Sequence, residues 1–260
     1  MIRPLYLDAA VPWQVRLDDG PALHLSAPGR ARSLVPLNRL ARVVSPASAN
    51  WQSDALLACL RAGVPVLFID THGATVGWCF GPRRRETTLG QLLRLALEAP
   101  EGSEILANWH AACNRREMLA ALRAMGLRAL PMQASLQPQD IRARLCNLHR
   151  QRLGRPAGAW LHALERSVHA LAAQQVYDCV GDPALIGHAA PGWHLGVALA
   201  QLLQWRLHRL LHDNPPDADA LPVRSARWAA QAIETHGAQL AIAAGAQLGC
   251  LEAVLRRELA

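Results

Sequence analysis

A chain of 260 residues, 51% of them hydrophobic, can bury a real core in one large domain or in a small domain followed by a medium one, so stapling devices are not needed. Every basic residue is arginine and the formal net charge is +7, which makes nucleic acid a physically reasonable partner, because guanidinium groups contact phosphate bidentately and stack on bases. A GC-rich genome would give the same Ala-, Arg- and Leu-rich composition whatever the protein binds.

The amino terminus, Met1 to Leu5, has no long apolar run behind a basic start. No stretch elsewhere reaches the ~18 to 20 uninterrupted apolar residues of a membrane span, so the expectation is a cytoplasmic protein with no membrane partner. The first 80 residues alternate short β-like runs with turn signals. Trp13 to Leu17, Ala22 to Leu25, Ser33 to Pro36 and Leu40 to Val44 are separated by Asp18-Asp19-Gly20 and Pro28-Gly29, in the manner of hairpins. Asn50 or Ser53 is placed to cap a helix through Leu60, and Gly63 to close it. A buried strand Val64 to Ile69, a turn at Thr71-His72-Gly73 and a last strand Thr75 to Phe80 complete this part.

From Thr88 onward the period is helical. One helix opens with Leu89, Leu92 and Leu93 and closes at Pro100-Glu101-Gly102. A long one runs from about Ser103 to Met125, Pro131 and Pro138 bracket an irregular piece, and a basic helix spans Gln139 to Leu153. The next covers about Ala159 to Cys179. A leucine-rich helix ends at Asp213-Asn214-Pro215-Pro216, and Val223 to Leu259 forms one Ala-rich helix, or two parted near Gly237. The fold class is α+β: a β-rich N-terminal domain over 1–82, a linker over 83–87 and an all-α domain over 88–260.

Six cysteines (Cys59, Cys79, Cys113, Cys146, Cys179, Cys250), with no C-x-x-C pair, read as buried free thiols in a reducing compartment, not as a disulfide framework or a zinc ribbon. Arginines cluster at Arg83, Arg84 and Arg85, at Arg115 and Arg116, and at Arg142, Arg144, Arg150, Arg152 and Arg155. Sharing a face, they would neutralise several phosphates and bind DNA with little regard to sequence. Otherwise they are scattered charge on a solvated surface. His162, Glu165 and His169, or His208 and His212, have spacings that could chelate a metal from one helix face, yet none matches the H-E-x-x-H pattern and helix-surface histidines are the plainer reading. Carboxylates in the helical part are few, chiefly Asp140, Glu165, Asp178, Asp182 and Glu234, and the leucine-rich helix carries Gln201 and Gln204 where acids could have held a divalent ion. There is no Gly-rich phosphate loop, nucleophile elbow or dinucleotide fingerprint.

The run Ala55 to Asp70 followed by His72-Gly73 and Gly77, the preceding Val35-Pro36-Leu37 with Leu40 to Val44, and Val180-Gly181-Asp182-Pro183-Ala184-Leu185-Ile186-Gly187-His188 together resemble the CRISPR-associated spacer-acquisition integrase, the Cas-one family. In the last segment Val-Gly replaces the family's Gly-Leu. The resemblance implies a β domain that makes a homodimer and a helical domain that binds DNA ends, the prespacer duplex and the CRISPR repeat. It also implies assembly with a small second adaptation protein, and a glutamate, a histidine and an acid that hold Mg2+ or Mn2+. Carried over, the histidine is His188, for catalysis and for metal. The later acid falls at Ala198 to Gln201, where the chain has Ala and Gln, and the leading glutamate is matched only loosely by Asp140.

Three functions follow as expectations. The first is a DNA-binding subunit of the adaptation complex with a degenerate metal site, working beside an active paralogue or a reverse transcriptase. The second is an active divalent-metal-dependent integrase or endonuclease, its site rebuilt by acids such as Asp178 and Asp182. The third is a helical interaction module that does not bind nucleic acid.

Overall fold

The computed structural model describes residues 3–18, 20–71, 75–81, 87–127, 137–154, 157–182, 185, 194–216 and 225–259, with only the backbone of 225–227. The chain divides into two compact units, Met1–Arg84 and Arg85–Ala260.

The first unit runs β1 (Arg3–Tyr6), β2 (Gln14–Leu17), β3 (Ala22–Ser26), β4 (Ser33–Pro36), a 3-10 turn at Leu37–Arg39, β5 (Leu40–Pro46), β6 (Asn50–Trp51), α1 (Ser53–Arg61), β7 (Val66–Ile69) and β8 (Thr75–Cys79). They make two four-stranded sheets, ordered β1-β5-β7-β8 and β4-β3-β2-β6. Alternation turns Val15, Leu23 and Leu25 inward from the β2–β3 hairpin, and they share a core with Leu40, Val43, Val66, Ala55 and Cys59. The hairpin expectation holds for β2–β3–β4 and β7–β8. It fails for β5, which pairs in parallel with both β1 and β7 and is buried along almost its whole length, as an interior parallel strand is. Neither expected cap forms on α1: Gln52 is the N-cap and makes no side-chain bond, Ser53 is already helical, and Asn50 is taken into β6 opposite Gln14. Gly63 does close the helix, at φ 72°, where a left-handed residue lets Val64 N donate to Cys59 O. The expected turn at His72-Gly73 lies outside the described residues.

The second unit is helical: α2 (Thr88–Glu98), α3 (Gly102–Ala124), α4 (Pro138–Leu153), α5 (Ala157–Val180), α6 (Leu195–Asp213) and α7 (Ser225–Glu258). Helix α5 is its axis, packing chiefly against α7 and α6, while α3 packs on α6. Thr87 caps α2 by accepting from Gly90 N at 3.1 Å, and its hydroxyl donates to Val180 O at 3.1 Å. Gly90 must be glycine there, since a Cβ would lie 2.6 Å from that same carbonyl.

Of the two readings for the last segment, one helix or two parted near Gly237, the structure has the first: α7 is one helix of 34 residues. A mid-helix glycine costs only about 1 kcal/mol, and burial of Ile233, Leu240, Ala244, Leu248, Leu251 and Leu255 outweighs it. Its stretch Trp228–Glu258 is also long and apolar enough, by length and composition, to cross a membrane. That inward row is packed in the bundle, as in a core helix of a helical domain.

Candidate functional site

Helix α4 carries most of the described arginines that the sequence nominates, and the structure separates them. Arg144 and Arg150 are exposed, and Arg150 bonds Asn147 at 3.1 Å. Arg152 reaches α6, donating to the His212 carbonyl at 3.0 Å and meeting the His212 ring at 3.1 Å. Arg142 turns inward: its Nη2 donates to the Gln201 carbonyl at 2.8 Å, and its guanidinium lies 4.9 Å from the Trp205 ring centroid. On α3, Arg115 and Arg116 are exposed, and Arg116 Nη2 donates to Gln247 Oε1 at 2.8 Å. Arg83, Arg84, Arg85 and Arg155 lie outside the described residues, as does His188.

Behind Arg142 lies a half-buried group drawn from α3, α4, α5 and α6. Burial raises the Glu165 carboxyl above its ordinary range, opposed by His162 and Arg142. His162 Nδ1 sits 3.9 Å from Glu165 Oε2. Burial, with Arg142 adding to it, lowers the basicity of His110, whose Nε2 has no hydrogen-bond partner among the described residues. His149 and His208 stack face to face, centroids 5.5 Å apart and planes within 4°. Both are 1% exposed, and burial together with surrounding cations holds them down, His149 to about 4 and His208 to about 3. A cavity of about 230 Å3 between α4 and α5 is lined by Cys146, His149, Arg150, His162 and Glu165.

Among the described residues the chemistry of these donors does not fit Mg2+ or Mn2+, for Glu165 is a lone carboxylate among imidazoles and guanidinium groups. Hard cations take charged oxygens, whereas α6 meets Arg142 with the Gln201 backbone carbonyl and the Trp205 ring, and along this stretch it carries the buried Ala198 and the neutral amides Gln201 and Gln204. Asp140 is spent on a capping box, its Oδ2 accepting from Gln137 N at 3.2 Å. Asp182 is buried and ion-paired with Arg94 of α2, so it anchors the bundle and is not open to an ion, while Asp178 stands exposed on α5. His208 and His212, chelators by spacing, face different partners, His149 and Arg152. Among the described residues no group of three or more His, Cys, Asp or Glu is placed to hold a metal ion.

One arrangement has no counterpart in the sequence reading. Glu117 of α3, 7% exposed, accepts from Arg206 Nε at 3.0 Å and Nη2 at 3.3 Å, and from Gln247 Nε2 at 2.6 Å. Arg206 and Arg209 interrupt the leucine stripe of α6 at i and i+3, a visible signal that composition by cluster overlooks.

No known protein-family profile and no curated protein matches this chain. Solved structures do. A Cas1 protein from Thermotoga maritima superposes with a TM-score of 0.71 at 14% identity over 97% of both chains. The Cas1–DNA complex of TtCas1 gives 0.61 at 14% identity over 97% of this chain and 91% of that one. A casposase bound to an integration product gives 0.59 at 13% identity over 88% and 82%. The fold is therefore that of the Cas1 proteins: a β-rich unit followed by a helical one.

Proposed function

We propose that this protein is a DNA-binding subunit of a CRISPR adaptation complex, built on the Cas1 fold with a metal site that no longer carries the chemistry. The observation behind this reading is Arg142. Where the resemblance calls for acids on α6, the chain has Ala198, Gln201 and Gln204, and a fixed guanidinium is hydrogen-bonded to the backbone at Gln201 and stacked on Trp205. A resident cation beside neutral amides disfavours a divalent ion by charge repulsion and by the lack of counter-charge. DNA as the ligand is supported by the net charge of +7, by the DNA complex of TtCas1 and by the integration product to which the casposase is bound.

In this reading the protein works in the cytoplasm as a homodimer. It holds prespacer duplexes and the CRISPR repeat beside a small second adaptation protein, with an active paralogue or a reverse-transcriptase partner supplying what it lacks. The test is a strand-transfer assay with supercoiled target and Mn2+, its natural partner present, run beside gel shifts on short duplexes with single-stranded ends. Salt-sensitive binding without strand transfer is expected. Strand transfer abolished by His188→Ala would establish the active-integrase reading instead, and no DNA binding at any length would favour the interaction-module reading.

A further inference from the structure

The face of α6 that meets α7 holds a cavity of about 150 Å3 lined by Arg206, Arg209, Asp213, Asn214, His236 and Gln239, above two leucines. That volume is below the roughly 300 Å3 at which sites for organic ligands begin, so it suits a group the size of a phosphate and not a nucleoside. Its lining carries two guanidinium groups against the single carboxylate of Asp213, and two amide side chains and an imidazole add further N–H groups able to donate.

One of the two guanidinium groups is held by a buried scaffold. Glu117 takes the Nε and Nη2 hydrogens of Arg206, and Gln247, 3% exposed, is bonded in turn to Glu117. This uses one edge of Arg206 and fixes its plane, while the side chain remains 44% exposed. The other, Arg209, is 57% exposed and, among the described residues, is tied to the exposed Asp213, at 3.2 Å. A surface pair of this kind contributes about 0 to 1 kcal/mol, so a phosphate can replace the carboxylate as the partner of Arg209 at little cost. An ordered guanidinium beside an exchangeable one, with neutral donors around them, is the arrangement that grips a phosphate by charge-assisted hydrogen bonds.

We infer that the α6–α7 cavity binds a phosphate group through Arg206 and Arg209, with Asn214, Gln239 and His236 as additional donors. The inference rests on the DNA-binding reading for its natural source, a backbone phosphate. Inorganic phosphate is the other source of the same chemistry.

The experiment uses the full chain and two variants, Arg209→Ala and Arg206→Lys. Anisotropy of a labelled duplex is followed across a salt series, and thermal melts are followed with inorganic phosphate. For Arg209→Ala the expected result is a roughly three- to tenfold weaker DNA affinity, a slope of log K against log salt lower by about 0.9, and an unchanged melt without ligand. Arg206→Lys keeps the charge and loses the fork, so its affinity falls while its slope stays. If the parent binds DNA and both variants match it in affinity and slope, and phosphate raises all three melts equally, the inference is overturned and the DNA-binding reading stands. If the parent binds no DNA, that reading fails; a phosphate-induced melt shift lost in Arg209→Ala would still uphold the cavity as a phosphate site, and its absence would overturn it.

Discussion

Two imidazoles, His149 on α4 and His208 on α6, lie with their rings parallel; the groups that act on them are Arg142, Arg152 and His212, with Glu165 across the cavity that His149 lines. Their basicity is depressed in the fold, so the unfolded chain binds protons first as pH drops. Stability is therefore complete above about pH 6.5 and is lost as pH falls toward 4. Thermal or urea unfolding at pH 7.5 and 5.0 should differ by roughly 2 kcal/mol for each ring. His110 and His169, also lowered by burial, act in the same direction. The double variant His149→Phe/His208→Phe should flatten most of that slope, and equal acid sensitivity in parent and variant would refute the account. Gly90 gives a sharper case. Gly90→Ala drives a methyl into the Val180 carbonyl, and a loss of about 1 to 3 kcal/mol is expected from denaturant midpoints. Glu117→Ala leaves the buried Gln247 amide without its acceptor and returns the 44% exposed Arg206 to solvent, and a loss of about 1 to 3 kcal/mol is expected.

At the scale of elements, α7 shows where local propensity yields to packing. Gly237 has open space around its Cα, so Gly237→Ala should stabilise the protein by about 0.5 to 1 kcal/mol, readable as a higher melting temperature. Most helices lie within a residue or two of their expected bounds because their leucines repeat at helical spacing and Pro138, Gly126 and Gly154 punctuate them. Strand β1 leaves no such signal, being an edge strand of four residues that includes Pro4, too short to show a period. Nor do the parallel partners of β5, because register between distant strands leaves no local mark. The candidate site was legible only as a set of residue types. That Gln201 and Gln204 are amides can be read directly; that Arg142 reaches from α4 to the Gln201 carbonyl is a tertiary fact, set by how α4 lies on α6.

At the scale of the whole molecule, the two units each have their own contacts, and the helical one includes every described residue of the Arg142 group. Residues 85–260 expressed alone should melt cooperatively with a helical spectrum; a broad, uncooperative melt would show that this unit depends on the other for its fold. Within that unit α7 places His236 at one cavity and Gln247 at the buried Glu117, eleven residues and about 16 Å apart on a single unbroken rod. An anion seated at the first point is thereby mechanically connected to the buttress at the second. Ligand occupancy should then slow amide hydrogen exchange along the intervening turns as one cooperative block, a lever arm stiffened from end to end.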